Sequence, residues 1–338
     1  MTRGSGRKAV PLWLIVLASV LIFCIGMCWG QYHVSIRELL LVLLSRVKEV
    51  PQTWSRNTEN VVLAIRLPRM CAAFLVGASL AVSGATYQSI FQNLLVSPDL
   101  LGVSAGACVG ASLAILSGGS SYRIQLFALI GGICAVCLTN LRPRLLANRN
   151  NMTLVLSGII VSGFFNSAQG LLKYVADQDT QLAQITFWTM GSLSKVISAS
   201  VLPVAPAIIV GLITLVIIRW RLNLLSLGER EAQSLGVNIR ALRGAAVLCS
   251  TVLTACSICL GGTIGWVGLV IPHFGRIMVG ADNKRLIPTC IFLGAAFMML
   301  IDSISRNIGA SEVPLSILTG FIGAPLYAWL LMKQRTKI

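Results

Sequence analysis

Cysteine and histidine are the residues of this 338-residue sequence whose side chains most readily bind metals or act as nucleophiles. Of the ten cysteines, Cys134 and Cys137 form one C-x-x-C pair, and Cys256 and Cys259 form another. A zinc site needs a second ligand pair, but each pair here lies among apolar residues, and the two histidines are far apart in the chain. We therefore expect no catalytic residue, no metal site and no cofactor, and we expect the cysteines to pack as small apolar side chains.

Acidic residues are scarce, and only Asp302 lies well inside an apolar stretch. Arg306 follows one helical turn later, so an ion pair at the membrane interface explains Asp302, and a role in coupling to an ion gradient is the alternative. Carriers driven by protons or sodium keep ionisable residues at membrane depth, and this sequence has almost none. It also lacks the motifs G-x-x-x-x-G-K-[ST] and H-E-x-x-H. Any energy must therefore come from a partner.

The composition describes a chain whose solvent is lipid: 56% of residues are hydrophobic, 11% are charged and the mean hydropathy is +0.82. A membrane-spanning helix needs about 20 apolar residues, and ten runs qualify. The runs are residues 11–30, 61–83, 100–117, 124–141, 153–172, 201–219, 243–261, 264–279, 286–304 and 313–332. Glycines and Pro272 interrupt the run 264–279, which predicts a broken or re-entrant helix. The expected fold is an all-α polytopic membrane protein with about ten spans, in one transmembrane domain over residues 1–338.

The basic residues predict the orientation of these spans. The first run is too long for a cleaved signal and no cleavage site follows it, so it is the first span. With both termini in the cytoplasm, most of the 27 basic residues lie on the cytoplasmic side, as expected for a plasma (inner) membrane protein. One outer loop, residues 31–60, is an exception. The net charge of +16 follows from this orientation, so we expect lipid and not nucleic acid as its partner.

Small residues are dense in the second and third runs. Gly102, Gly106 and Gly110 form a stripe with a spacing of four, which lets helices approach closely. Close packing explains such a stripe, and a smooth wall beside a wide pathway is the alternative. Both can hold in one bundle.

In the largest inner loop, about residues 220–242, the sequence predicts a short polar helix bracketed by Gly228 and Gly236. Its polar side chains, Glu229, Arg230 and Glu231, lie near Leu235. A solvated connector would explain this segment. The mixture of charged and apolar side chains also suits docking into a groove on another protein.

Six ordered blocks between about residue 60 and the C-terminus resemble the iron-siderophore, haem and cobalamin class of ABC importer permeases. The blocks are residues 66–69 (R-L-P-R), 84–88 (G-A-T-Y-Q), 93–107 (N-L-L-V-S-P-D-L-L-G-V-S-A-G-A), 227–239, 265–276 (G-W-V-G-L-V-I-P-H-F-G-R) and 312–325 (E-V-P-L-S-I-L-T-G-F-I-G-A-P). A single R-L-P-R would be weak support, but six blocks in the family's order are specific.

The resemblance implies a bundle of the type II importer kind that pairs with a second copy or a paralogue. Its further implied partners are a cytoplasmic dimer of ATPase subunits and a periplasmic or extracellular binding protein. By position, Arg66, Arg69 and Arg306 match arginines that hold acidic side chains of the binding protein, and anchoring to lipid headgroups is the alternative.

The resemblance also assigns two cytoplasmic elements. The segment from Gly228 to Gly236 matches the coupling helix that docks in the ATPase, with Glu229, Arg230, Glu231 and Leu235 as its contacts. Asn150, Asn151 and Met152 match the cytoplasmic gate, and an ordinary helix cap by either asparagine is the alternative.

The function implied by the resemblance is import of an iron-siderophore or similar metal chelate by alternating access, with ATP hydrolysed by the partner. The chain itself would not be an enzyme. Haem or cobalamin is the alternative cargo within the family. A stand-alone secondary carrier and a membrane receptor are the alternatives from other classes.

Overall fold

The computed structural model describes residues 10–46, 48, 51–145, 151–227, 238–309 and 311–335. These residues are helical or irregular, and no strand occurs among them. In chain order the α-helices are α1 (Leu12–Cys28), α2 (Ile36–Leu44), α3 (Arg56–Asn60), α4 (Leu67–Phe91), α5 (Val103–Leu116), α6 (Ser121–Leu145), α7 (Asn151–Val175), α8 (Gln181–Thr189), α9 (Ser198–Val201), α10 (Ala205–Leu222), α11 (Ile239–Gly261), α12 (Val267–Val279), α13 (Asn283–Ser305) and α14 (Leu315–Arg335).

Ten apolar helical segments account for the ten predicted runs. Six are long enough to cross a membrane: Arg56–Phe91, Ser121–Leu141, Thr153–Val175, Ala205–Leu225, Ile239–Gly261 and Asn283–Ser305. Four are shorter: Leu12–Cys28, Val103–Leu116, Val267–Val279 and Leu315–Trp329. Each predicted run overlaps one of them, so the predicted all-α polytopic fold with about ten spans is confirmed.

The run 264–279 forms a short helix, as its composition predicts. Helix α12 has only 13 residues, which corresponds to about 20 Å and is less than the hydrocarbon thickness. Gly262 and Trp266, in the loop before it, both have left-handed backbone conformations. This loop turns the chain back towards the bundle interior, where α12 packs against α4.

Helix α4 is the centre of the bundle and packs against α1, α10, α11, α12 and α13. Its middle is buried from residue 76 to residue 88. Gly77 on α4 faces Gly294 on α13 so closely that a Cβ atom on either would overlap the backbone of the other. A second layer is formed by α5, which packs against α6 and α7, and by α6, which packs against α11.

The predicted glycine stripe has a packing role. Gly106 faces Gly131 on α6, and Gly110 faces the carbonyl of Phe127 on the same helix. Gly102 ends the preceding 3₁₀ turn in a left-handed conformation. The interpretation of the stripe as a close-packing surface is therefore confirmed for Gly106 and Gly110.

The bundle has two ends that matter for function. We call the end where α1 and α13 finish and α4 begins the Arg69 rim. The opposite end, where α1 and α13 begin and α4 and α10 finish, is the Asp282 rim. The basic residues predict that the Asp282 rim faces the cytoplasm.

Most of the two predicted cytoplasmic elements lies outside the described residues. The coupling segment from Gly228 to Gly236, with Glu229, Arg230, Glu231 and Leu235, lies there, and so does Asn150. Asn151 and Met152 begin helix α7, and only their backbone is described.

Candidate functional site

The R-L-P-R block forms the start of α4 at the Arg69 rim. Residues Val61–Arg66 adopt a π-helical turn, in which the Leu67 N–H donates to the Val62 carbonyl. Pro68 follows and has no N–H to donate, so the ordinary helical ladder is interrupted at this point. Since Arg66 and Arg69 are three residues apart, both side chains lie on the face of the helix that meets α1 and α13.

Arg66 caps the end of α1. Its Nη1 donates to the carbonyls of Met27 and Cys28, at 2.7 and 3.0 Å, and its Nη2 donates to the carbonyl of Tyr32. The last carbonyls of a helix have no partner within the helix and carry partial negative charge. Arg66 therefore satisfies these groups and fixes the chain that leaves α1.

Arg69 binds two carboxylates at once. Its Nε donates to both oxygens of Asp302, at 2.9 and 3.1 Å. Its Nη1 and Nη2 donate to the two oxygens of Glu312, at 2.7 and 2.9 Å. The planar guanidinium presents its donors in a fixed fork that suits such bidentate contacts. One side chain thus joins the start of α4, the end of α13 and the segment before α14.

Arg306 completes the cluster from one turn beyond Asp302. Its Nε lies 3.3 Å from Asp302 Oδ2, and its Nη2 donates to the Gly26 carbonyl at 3.1 Å and to Ser303 Oγ at 3.2 Å. The predicted pair of Asp302 and Arg306 is therefore confirmed. Asp302 is fully buried, however, and it also binds Arg69, so it is not an isolated pair at the membrane surface.

Most of the charged side chains in this cluster are buried. Its members are Arg66, Arg69, Asp302, Arg306 and Glu312. The Arg69 and Asp302 side chains are 5% and 0% exposed, and Glu312 is 33% exposed. Buried charges are tolerated only when their partners and hydrogen bonds are complete. The three arginines and two carboxylates leave one net positive charge at this rim. The arrangement clamps α1, α4 and α13 together and ties the segment before α14 to them.

The structure brings the three predicted docking arginines together but turns them inward. Arg66, Arg69 and Arg306 are 4%, 4% and 8% exposed. Glu312 is the partly exposed member, and its pairing with Arg69 was not predicted from the sequence. Glu312 is the first residue of the block 312–325, and this position was the signal in the sequence that could have indicated its role. Docking of a binding protein at this rim stays a prediction.

A hydrogen-bonded network at the Asp282 rim holds the segment that leads into the predicted coupling loop. Asn223 donates through Nδ2 to Asp282 Oδ1 at 2.6 Å and accepts from the Asn283 N–H at 2.9 Å. Gln92, just after α4, donates to the Leu225 carbonyl at 2.5 Å. The residues before position 228 are thereby tied to both α4 and α13.

The cysteine pairs lie where their apolar neighbours predict. Cys134 and Cys137 are exposed on α6, while Cys256 and Cys259 are buried in α11. Within the described part of the chain, no three His, Cys, Asp or Glu side chains are grouped so as to hold a metal ion.

The fold and its sequence blocks agree with one protein family. The model of the FecCD transport family matches residues 17–333. The chain belongs to the FecCD transport family. The molybdate import system permease protein MolB of Haemophilus influenzae is 36% identical over 332 residues, which cover 96% of both chains. A probable iron chelatin transport system permease protein of Helicobacter pylori is 37% identical over 327 residues, covering 95% of this chain and 98% of that one.

A solved structure supports the same assignment. It is described as an inward-facing conformation of a metal-chelate type ABC transporter, and it is 36% identical to this FecCD-family chain. The TM-score is 0.85, with 95% of this chain and 98% of the other covered. The protein is accordingly a multi-pass ABC importer permease of the plasma membrane.

The Asp302 carboxylate should be essential to the stability of this FecCD-family bundle. We expect Asp302→Asn to lower the free energy of unfolding by about 3–5 kcal/mol, because Arg69 and Arg306 would lose a buried counter-charge. Thermal unfolding of the purified protein measures this. Glu59→Gln is the matched control, since it breaks the surface pair of Glu59, 27% exposed, and Arg46, 61% exposed, and should cost less than about 1 kcal/mol. Equal losses for the two variants would contradict the proposed importance of burial.

Proposed function

We propose that this FecCD-family permease imports a metal chelate by alternating access, driven by ATPase subunits on the cytoplasmic side. One observation carries the proposal beyond the family assignment. Among the described residues Asp302 is the only buried carboxylate, and two arginines already neutralise it. An ion-coupled carrier needs an ionisable group at membrane depth that is free to exchange its ion. The permease is thus a passive framework that a partner must move.

A stand-alone secondary carrier is the alternative from a different class. Its best candidate residue is Asp99, an exposed carboxylate in the turn before α5 that accepts a hydrogen bond from Ser104. Such a carrier would lose its gradient-driven uptake when Asp99 is replaced by Asn. The permease proposed here would keep its dependence on ATP in that variant.

For the cargo, we favour a ferric siderophore or a similar iron chelate. The Helicobacter pylori relative is named for iron chelatin, and the related solved structure is named for a metal chelate. The Haemophilus influenzae relative is named for molybdate, which adds an oxyanion to the alternatives of haem and cobalamin. Accumulation of ⁵⁵Fe-labelled chelate and of molybdate, in cells with and without the chain, distinguishes these cargoes.

The proposed assembly has two permeases, two ATPase subunits and one binding protein outside the cell. Both termini of the permease lie in the cytoplasm in this proposal. We expect vesicles that contain the permease alone to show no uptake against a gradient, because the chain has no nucleotide-binding motif. Adding the ATPase subunits and the binding protein should start uptake that depends on ATP. Concentrative uptake by the permease alone would contradict the proposal.

Docking of the binding protein is proposed at the Arg69 rim. There an acidic side chain of the binding protein would replace Glu312 as a partner of Arg69. An acidic side chain of the partner would have to compete with Glu312 for Arg69, because the arginine is buried and Glu312 is partly exposed. Reversing the charge of the buried arginines would test folding rather than docking. Glu312 is the more informative position.

Removing the Glu312 charge should therefore strengthen docking. We expect Glu312→Gln to tighten binding of the binding protein about fivefold at low salt, since one competing charge is worth about 1 kcal/mol, and to steepen the salt dependence. Surface plasmon resonance on the reconstituted permease measures this. Glu59→Gln removes the same charge from the pair with Arg46 and should change the affinity little. An equal gain in affinity for both variants would show that the effect comes from net charge and not from competition by Glu312.

Coupling to the ATPase is proposed through Gly228–Gly236, with Asn223 as its anchor on the bundle. Asn223 lies just before this segment and bonds Asp282 and Asn283 at the start of α13. Motion of the segment would thus reach α13 directly. The cytoplasmic gate at Asn150, Asn151 and Met152 remains part of the proposal, and nucleotide-dependent labelling of single cysteines at these positions would measure its opening.

Loss of the Asn223 amide should uncouple transport from ATP hydrolysis. We expect Asn223→Ala to reduce transport several-fold per ATP hydrolysed, because the coupling segment would lose its attachment to α13. The ratio of transport to hydrolysis in vesicles is the readout. Asn93→Ala is the control, since among the described residues the Asn93 side chain accepts a hydrogen bond only from the Leu95 N–H of its own loop. An unchanged ratio for Asn223→Ala would remove this residue from the coupling path.

A further inference from the structure

A cavity of about 390 Å³ opens at the Asp282 rim, where the beginning of α1 meets the ends of α10 and α12 and the start of α13. Its volume is in the range of about 300–1,000 Å³ that is typical of small-molecule sites. The chain entering α1 is fixed there, because the Val10 N–H donates to the Met278 carbonyl at 3.1 Å. The cavity takes no part in the clusters described above.

Three cationic side chains line this cavity: Arg219 from α10 and Lys284 and Arg285 from α13. Within the described residues, none of the three side chains has a hydrogen bond or an ion pair. Two of them, Lys284 and Arg285, are exposed. The cavity therefore offers a concentration of unpaired positive charge.

Asp282 is the carboxylate beside these cations, and it is already engaged. It bonds the Asn223 amide and the Lys284 backbone N–H. Burial by itself would raise the pKa of the Asp282 carboxyl, but these hydrogen bonds and the charges of Lys284 and Arg285 lower it below its ordinary value. It remains ionised, and the three cations with this one anion leave two net positive charges.

Part of the cavity lining is apolar. Pro11 and Leu12 from the start of α1 line it, together with Pro288 from α13. Farther along two of the helices that line the cavity, Leu17 of α1 and Ile217 of α10 are 48% and 66% exposed. A ligand with an anionic head and long apolar chains could therefore place its head among the cations and its chains along these helices.

We propose that this cavity binds the phosphate headgroup of an anionic phospholipid. Basic pockets between spans on the cytoplasmic side suit such headgroups. The cations of such a pocket can bind the phosphate while the acyl chains lie along the neighbouring helices. Trp220, next to Arg219 and 45% exposed, marks that depth as the membrane interface. A free phosphate would use the same cations but would gain nothing from the apolar lining residues.

The test uses the purified full-length permease in a neutral detergent, with bound lipid counted by native mass spectrometry. We expect phosphatidylglycerol to bind at least about tenfold more tightly than phosphatidylcholine with the same chains. Each cation removed should weaken phosphatidylglycerol about fivefold, the factor for about 1 kcal/mol per basic residue. The variant Arg219→Gln/Lys284→Gln/Arg285→Gln should therefore lose the preference. The measurement requires no transport, so its outcome is independent of the proposed function.

Two further variants keep the result interpretable. Arg37→Gln/Arg56→Gln/Arg123→Gln removes the same charge from exposed positions away from the cavity and should keep the preference. Arg219→Lys/Arg285→Lys retains the charges and should also keep it, which separates binding from misfolding. Equal binding of phosphatidylcholine, equal loss in the distant triple variant, or inorganic phosphate that binds as tightly as the lipid would each overturn the proposal.

Discussion

Backbone contact between α4 and its neighbours is the constraint on which the bundle depends. In lipid, helices gain nothing by hiding apolar side chains from water, so close van der Waals contact must hold them together. Gly77 meets Gly294 on α13, and Gly84 meets Gly268 on α12, with no room for a Cβ atom at any of these positions. A single larger side chain would therefore push two spans apart. This is why glycines lie on α4 at the points where it meets α12 and α13.

Small faces set the distance between helices but do not set their position along the axis, because a smooth surface can slide. The ionic cluster at the Arg69 rim supplies this missing restraint. Arg69 is rooted at the start of α4 and Asp302 near the end of α13, and a shift of one helical turn would separate them and leave both charges buried without partners. Such a cost, of several kcal/mol, fixes a single register. The cluster contributes specificity even where its net contribution to stability is small.

The spans could be predicted from the sequence because the length and polarity of an apolar run depend only on neighbouring residues. The pair of Asp302 and Arg306 was predictable for the same reason, since helical spacing connects them. The bonds from Arg69 to Asp302 and Glu312 join residues more than 230 positions apart, and no local pattern records them. Helix α2 in the outer loop was also missed, although Ser35 and Glu38 form a capping box that local reasoning could have found.

The two rims are joined by one helix pair. Helix α4 starts at Leu67, carries Arg69 in its first turn and finishes beside Gln92, while α13 starts at Asn283 and carries Asp302 near its other end. Contact at Gly77 and Gly294 lies between, so α13 cannot rotate against α4 without losing it. A pull on Asn223 at one rim must therefore move the pair together or strain the Arg69 cluster at the other. In either case the Asp282 rim and the Arg69 rim are connected through the same two helices, without an ionisable relay between them among the described residues.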